Sequence, residues 1–141
     1  MGPKLSRTVT YAIAATLQLA KSGSDAPVPC NQIAAEGKMP ERFLLQILRS
    51  LVNAGILKST RGVVGGYALN KPPEEISLLE IMEAVEGPYE SQIVDQEEGL
   101  LSGNASLRGA LKDLAETSKR QLHSIRLSQL ALPPKEEEKE T

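Results

Sequence analysis

Near the N-terminus, apolar and small side chains recur with the period of about 3.6 residues that marks one face of a helix: Val9, Ala12, Ile13, Thr16, Leu17 and Ala20. Ser6 precedes this pattern in the position of an N-cap, and Gly23 follows it as a C-terminal stop. The pattern therefore predicts a first helix, followed by a turn-rich linker over residues 25–29.

A second and a third helix follow in close succession. Residues 31–36 predict a short helix that is closed by Gly37. Pro40 then stands at a first helical position, and a longer pattern that stops at 54–55 contains these apolar residues: Phe43, Leu44, Ile47, Leu48, Leu51 and Val52. Two helices joined by so short a turn are typical of a helix-turn-helix, although an α-hairpin with no role in DNA binding gives the same pattern.

The third helix is followed by a predicted β-hairpin. Residues 56–60 and 67–69 have the character of two short strands, and they enclose the glycine-containing loop 61–66. A hairpin placed directly after a helix-turn-helix is a wing, so it favours a winged helix-turn-helix over a plain α-hairpin.

A fourth helix begins with a strong start signal. Ser77 and Glu80 have the spacing of a capping box, and Ile76 and Ile81 are placed as its hydrophobic staple. This helix is predicted to run to about residue 86 and to stop at 87–88.

The longest helical pattern covers residues 105–130, and one stripe of it is our predicted dimer interface: Leu107, Leu111, Leu114, Ser118, Leu122 and Ile125. An apolar stripe of this length must be buried against another surface. Packing against the first helix is one solution, and pairing with the same helix of a second subunit is the other. We favour the second, because the helix is long and is set off by a connector.

The predicted fold class is therefore mainly α with a small β-hairpin wing: a winged helix-turn-helix plus a long C-terminal dimerisation helix. Residues 1–88 form the DNA-binding domain, 89–104 a connector, 105–132 the dimerisation helix and 133–141 a disordered tail. The tail is assigned as disordered because it is charged and poor in apolar residues.

The formal net charge of -2 conceals a strong asymmetry along the chain. Residues 1–71 contain nine Lys and Arg against three Asp and Glu, which gives +6, whereas residues 72–141 contain seven against fifteen, which gives -8. A basic half joined to an acidic half is expected when the first part faces a polyanion and the second does not.

The composition of the chain excludes some classes of binding site and indicates the cellular compartment. The chain has three Tyr, one Phe and no Trp, which argues against a sugar cleft or a base-stacking platform, since both use aromatic faces. Its single cysteine cannot form an intramolecular disulfide, as expected in a reducing compartment. The N-terminal apolar stretch is shorter than the roughly 20 residues of a membrane span. We expect a cytoplasmic protein that does not bind membranes.

An ordered set of motifs along nearly the whole chain resembles the Rrf-type winged helix-turn-helix repressors, the group that includes IscR, NsrR and CymR. The motifs are KLSR at 4–7, PV at 27–28, IA at 33–34, FL at 43–44, QIL at 46–48 with Leu51, AGIL at 54–57, RG at 61–62 and GGY at 65–67 in the wing, ISLL at 76–79, AVEG at 84–87 and IRLSQL at 125–130. This resemblance implies a homodimer with crossed long helices, a recognition helix in the major groove of double-stranded DNA and a wing that reaches the minor groove.

Carried onto this sequence, those roles give the following predicted DNA contacts: Lys4, Ser6, Arg7, Tyr11, Pro40, Glu41, Arg42, Leu45, Gln46, Arg49, Ser59, Arg61, Gly62, Gly65, Gly66 and Tyr67. Their chemistry is suitable, because Gln46 can pair with adenine through two hydrogen bonds and Arg61 suits the negative potential of a narrow minor groove. Leu45 departs from the family pattern, which more often has a polar or acidic residue there. The wing lacks the spacing of a nucleotide-binding loop.

The resemblance also implies a contrast in cofactor content. Many relatives bind an iron–sulfur cluster through three cysteines in the connector, but residues 89–104 contain none, and the chain has one Cys and one His. We therefore expect no cofactor and no metal held by the protein. Cys30 is interpreted as a semi-buried thiol, with a redox role requiring an exposed thiolate of low pKa. His123 lies on or beside the dimer stripe and has no second histidine with which to form a catalytic relay.

The resulting hypothesis is a non-enzymatic regulator that represses transcription by binding a roughly palindromic operator as a homodimer. The alternative is a winged helix that binds a partner protein and has no specific affinity for DNA. The regulatory signal is left open between a small molecule held near the connector, a protein effector, thiol oxidation and no signal at all.

Overall fold

In a computed structural model, the described residues are 5–89 and 103–131. They form six α-helices and one hairpin: α1 (Arg7–Ser22), α2 (Cys30–Gly37), α3 (Glu41–Asn53), β1 (Leu57–Thr60), β2 (Gly66–Leu69), α4 (Leu78–Glu86), α5 (Ala105–Ser124) and α6 (Leu127–Leu130). This order confirms the mainly α winged helix-turn-helix. Most of the predicted connector, the whole predicted tail and Lys4 lie outside the described residues. No helix in the described ranges is long and apolar enough to cross a membrane.

The core lies between helices α1 to α4 and the base of the hairpin. Ala12 and Ala15 give α1 a small-residue face that is fully buried, and Leu48 of α3 and Ile81 of α4 are also inaccessible to solvent. Small residues on one helix allow large ones on its neighbours to pack closely. Burial of a leucine of this kind contributes about 1.5–3 kcal/mol relative to an exposed one, so these contacts fix α3 against the rest of the domain.

Two helix caps follow the sequence prediction. The Ser6 hydroxyl accepts a hydrogen bond from the N–H of Val9 at 3.1 Å, and Gly23 ends α1 with φ of 63°. At α4, the Ser77 hydroxyl accepts from the N–H of Glu80 at 3.1 Å, while the Glu80 carboxylate accepts from the N–H of Ser77 at 3.1 Å. The capping box is therefore complete, and it fixes the start of α4.

The turn between α2 and α3 differs from the prediction. Gly37 lies within α2, and Lys38 instead adopts the left-handed conformation, with φ of 55°. A Cβ atom on Gly37 would lie 2.4 Å from the side chain of Met39 and 2.7 Å from that of Gln18. The glycine thus permits close packing and does not provide the stop. Pro40 is the N-cap of α3 and precedes its first helical residue.

The long helix also ends earlier than predicted. We expected one helix over 105–130, but α5 stops at residue 124, and Ile125 is extended. The carbonyl of Ile125 accepts from the N–H of Leu78 at 2.8 Å, and the N–H of Leu127 donates to the carbonyl of Ile76 at 2.8 Å. Leu127 is fully buried in the core. The break therefore exchanges helical hydrogen bonds for backbone contacts that anchor the end of α5 to the start of α4, and it takes Ile125 out of the helical stripe.

Candidate nucleic-acid interface

Helix α3 has one buried apolar face and one open polar face. Its buried residues are Leu44, Ile47, Leu48 and Leu51. The residues exposed along the start and the outer side of the helix are Pro40, Glu41, Arg42, Gln46 and Arg49. The side of α3 that we predicted to contact DNA therefore faces solvent, as a recognition helix requires.

Two apolar residues modify this surface. Leu45, which departs from the family pattern, is half-buried beside the polar face. Phe43 belongs to the apolar pattern of the third helix, yet its side chain is 37% exposed and packs edge-on against Tyr11, with 5.5 Å between the ring centroids and an interplanar angle of 89°. This aromatic pair joins α1 to α3 at the surface. Sequence reasoning missed the pairing, because helical spacing does not reveal a partner on another helix.

The N-terminus of α1 is partly occupied by the protein itself. Besides capping the helix, the Ser6 hydroxyl donates a hydrogen bond to the carboxylate of Glu86, at the end of α4. Arg7 is exposed, whereas Tyr11 is half-buried against α3. Of these predicted phosphate contacts, Arg7 is therefore the one with a freely presented side chain, and Ser6 has two partners within the chain.

The wing is an antiparallel hairpin with a third segment paired to its outer edge. Strands β1 and β2 pair in a register that places Leu57 opposite Leu69 and Ser59 opposite Tyr67. The backbone of Tyr67 also exchanges two hydrogen bonds with Val28, at 2.8 and 2.9 Å. The linker before α2 thus holds the hairpin from the other side. Ser59 is left exposed, and Tyr67 is half-buried.

The three wing glycines that we assigned to DNA are required by the hairpin itself. Gly62 has φ of 113°, a conformation that disfavours other residues. A Cβ atom on Gly65 would lie 2.2 Å from the carbonyl oxygen of Thr60, and one on Gly66 would lie 2.3 Å from the backbone of Val28. Their presence in the motif therefore follows from backbone geometry, whether or not they touch DNA.

Charge is distributed unevenly over this surface. Glu41, the first residue of α3, is the one carboxylate on this surface. Residues 42–73, which cover the rest of α3 and the wing, contain no Asp or Glu and carry five cations: Arg42, Arg49, Lys58, Arg61 and Lys71. Within the described part of the chain, the only ion pair among them joins Lys71 to Glu80 at 2.6 Å. The other four are exposed. They give this face the positive potential that attracts a polyanion.

The Lys71–Glu80 pair lies behind the wing and belongs to the fold. Partial burial tends to raise the pKa of Glu80, but hydrogen bonds from Lys71 and from the backbone of Ser77, with the charges of Lys71 and Arg126, outweigh burial and lower it. The carboxylate therefore stays ionised and caps α4.

Cys30 is placed at the start of α2 and is half-buried. Burial, and then the nearby charge of Glu41, raise the pKa of its thiol. The sulfur also lies 3.8 Å from the carbonyl oxygen of Glu41, to which the thiol can donate. These surroundings favour the neutral thiol and oppose the low-pKa thiolate that a redox sensor needs.

The predicted dimer stripe is only partly covered. In α5 the one buried residue is Ala115, on the side that packs against α4. Leu107, Leu111, Ser118 and Leu122 are half-buried, and Leu114 is 55% exposed. The structure keeps the first five members of the stripe on one helix and places Ile125 beyond its end.

Known proteins share this architecture. CymR from Bacillus subtilis is 33% identical over 96 residues, covering 67% of this chain and 70% of that protein. IscR from Yersinia pseudotuberculosis is 30% identical over 128 residues, which cover 90% and 78% of the two chains. The solved structure of B. subtilis CymR, described as the global cysteine regulator of that organism, superimposes with a TM-score of 0.71 at 30% identity and covers 92% of this chain and 97% of the other. These relatives are transcriptional regulators, which confirms the prediction that the protein is not an enzyme.

Residues 5–132 match the model of the Rrf2 family, whose description is iron-dependent transcriptional regulator. The ligands in this chain do not suit an iron–sulfur cluster, because it has one Cys and one His, and the thiol of that Cys is partly buried and held neutral. The described residues also contain no group of three or more His, Cys, Asp or Glu side chains placed to hold a metal. The match nevertheless extends over the hairpin and every helix of the fold. The chain belongs to the Rrf2 family of DNA-binding transcriptional regulators.

Proposed function

We propose that the protein is a cytoplasmic repressor that binds a roughly palindromic operator as a homodimer. The observation that supports this proposal is the open polar face of α3 beside a wing whose sequence has no carboxylate. A buried α3 surface would be incompatible with base contacts, and an acidic one would be repelled by the phosphates.

In this proposal α3 enters the major groove, which is wide enough for one helix. Gln46 suits an adenine, because its amide can donate and accept at the same time. Arg42 and Arg49 suit guanine or the flanking phosphates. Half-buried Leu45 provides an apolar contact for a thymine methyl group.

The homodimer is proposed from α5. A single chain leaves Leu114 and its neighbours on the stripe without full cover, and a second copy of α5 supplies a surface of the same chemistry. Two copies of α3 would then meet successive major grooves, about 34 Å apart, so the operator would repeat in inverted orientation. Occupation of such a site within a promoter would block transcription.

Operator selection tests the proposal. The purified protein would be equilibrated with fragments of the source genome, and bound fragments would be sequenced and footprinted. We expect one inverted-repeat motif, bound far more tightly than bulk DNA, with log affinity falling against log salt by about 0.9 for each phosphate neutralised. Equal affinity for all fragments at moderate salt would overturn specific regulation.

Charge reversal on α3 and the wing distinguishes operator binding from the alternative, in which the protein binds a partner protein. R42E with R61E should abolish DNA binding, because both cations are exposed beside the proposed groove contacts. The matched control is R120E, since Arg120 is exposed on the opposite side of α5 from the predicted dimer stripe. If R42E/R61E binds the operator as well as R120E does, α3 and the wing are not the DNA surface.

A further inference from the structure

Two valines form the tip of the wing. The N–H of Gly65 donates to the carbonyl of Gly62 at 3.0 Å, which makes Val63 and Val64 the central residues of a tight turn. Val63 is 105% exposed and Val64 is 82% exposed, the highest exposures among the large apolar side chains of the described residues. The most prominent point of the wing is therefore apolar.

Folding does not account for these valines. They bury almost no surface in the protein, so packing does not select them. Central turn positions favour Gly, Pro, Asn, Asp or Ser, and a β-branched residue is an unusual choice there. A residue type that opposes local preference without a compensating contact indicates a role outside the folded chain.

The tip is also held rigidly. Gly65 and Gly66 fit so closely against neighbouring backbone that neither could carry a side chain without movement. Tyr67, just behind them, is fixed to Val28 by two backbone hydrogen bonds. Strand β2 is therefore hydrogen-bonded on both sides, to β1 and to Val28, and this support restricts the orientations of the tip, which reduces the entropy lost when the tip binds.

We propose that Val63 and Val64 enter the minor groove beside each operator half-site and select A·T over G·C base pairs there. This inference rests on the proposed function, since it needs α3 to be docked in the adjacent major groove.

The size of the tip, the length of the hairpin and the nearby positive charge all favour binding in the minor groove. The hairpin begins just after α3, and its four-residue strands extend about 13 Å from a base buried in the domain to an exposed tip. The minor groove is about 6 Å wide, so it excludes a helix but admits a turn of two small side chains. Arg61 precedes the tip, and its charge suits the negative potential of a narrow groove rich in A·T pairs.

The preference for A·T follows from hydrogen bonding. The minor-groove edges of both kinds of base pair carry acceptors, but only G·C adds a donor, the N2 amino group of guanine. A valine side chain has no acceptor. Guanine beneath the tip would lose water from its amino group and gain no partner, a loss on the order of tenfold in affinity.

Inosine isolates that amino group in an experiment. Once the operator is known, three duplexes would differ only at the flanking pairs beneath the wing: A·T, G·C, or I·C, which lacks the N2 amino group. We expect the wild-type protein to bind the A·T and I·C duplexes about equally, and the G·C duplex about tenfold more weakly. The V63T/V64T variant keeps the β-branched shape but adds hydroxyl groups that can accept from guanine, so its preference should fall below about threefold.

The remaining outcomes are equally decisive. L130S is the matched control, because Leu130 is a partly exposed apolar residue on α6, and this variant should keep the wild-type preference. If V63T/V64T also keeps it, or if the I·C duplex binds as weakly as the G·C duplex, the tip does not select base pairs in this way. Sensitivity to pairs under α3 without sensitivity to the flanks would overturn this inference alone, and loss of both would overturn the proposed function as well.

Discussion

The winged-helix domain and helix α5 differ in how much of their apolar surface this chain covers. Helices α1 to α4 each bury at least two side chains, and Leu48 and Leu51 of α3 are inaccessible to solvent. Helix α5 has 20 residues but buries only Ala115, and Leu114 remains 55% exposed. Most helix stability in proteins comes from packing of an apolar face. The helices of the domain are therefore well packed within one chain, whereas α5 leaves part of its apolar stripe uncovered.

Substitutions in the two regions can be compared by their effect on the free energy of unfolding, and we expect the largest loss at Leu48. Replacing it with alanine leaves a cavity in the core, so L48A should lower the free energy of unfolding by about 2–5 kcal/mol. Urea denaturation followed by circular dichroism measures the change. The matched variant is L114A, which in dilute, monomeric protein should cost less than about 1 kcal/mol. Equal losses from the two variants would show that α5 is as well packed as the domain.

Leu127 connects α5 to the winged-helix domain, and its substitution should cause the next largest loss of unfolding free energy. It is fully buried, and its N–H anchors the chain beyond α5 to Ile76. L127A should lower the free energy of unfolding by about 2–3 kcal/mol. It should also speed hydrogen exchange at the amide of Leu78, whose acceptor is the carbonyl of Ile125. L130A is the control, and unchanged exchange at Leu78 in L127A would mean that the anchor does not depend on Leu127.

The same contrast explains what the sequence could predict. Ser6, Gly23 and the Ser77–Glu80 capping box act within one turn of chain, so their spacing was enough to locate helix ends. The break at Ile125 was not predictable, because its cause is hydrogen bonding to residues nearly 50 positions earlier. Helical spacing alone favoured continuation of the helix.

Part of the candidate DNA surface could be predicted for a similar local reason. The polar face of α3 follows from its 3.6-residue period, and the wing follows from its glycines and strand pattern. The edge-on contact of Phe43 with Tyr11 and the pairing of Val28 with Tyr67 join segments that are distant in sequence. No periodic pattern encodes either contact.

A charge on the stripe of α5 tests the proposed dimer. L114E would place two carboxylates in the paired surface, and we expect the dimer dissociation constant to rise at least about tenfold, since a buried unpaired charge is strongly unfavourable. Sedimentation equilibrium measures this constant. R120E, on the opposite side of the helix, should leave it unchanged. A strictly monomeric wild-type protein, or an L114E dimer as tight as wild type, would contradict pairing through this stripe.

The smallest change in the free energy of unfolding is expected when the Lys71–Glu80 pair is removed, and this change should depend on pH. The folded state lowers the pKa of Glu80, so the ionised carboxylate stabilises the fold fully above its ordinary value, and this stabilisation is lost as pH falls through the lower folded value. The pair is about one third exposed, so solvent screening limits its contribution to less than about 1 kcal/mol. E80Q preserves the cap, because glutamine also completes a capping box. The E80Q variant should therefore be slightly less stable than wild type at pH 7 and equally stable at acid pH, where Glu80 is protonated. E74Q is the control, because Glu74 is exposed. A stability difference between E80Q and wild type that is the same at both pH values would assign the effect to packing at α4 instead of charge.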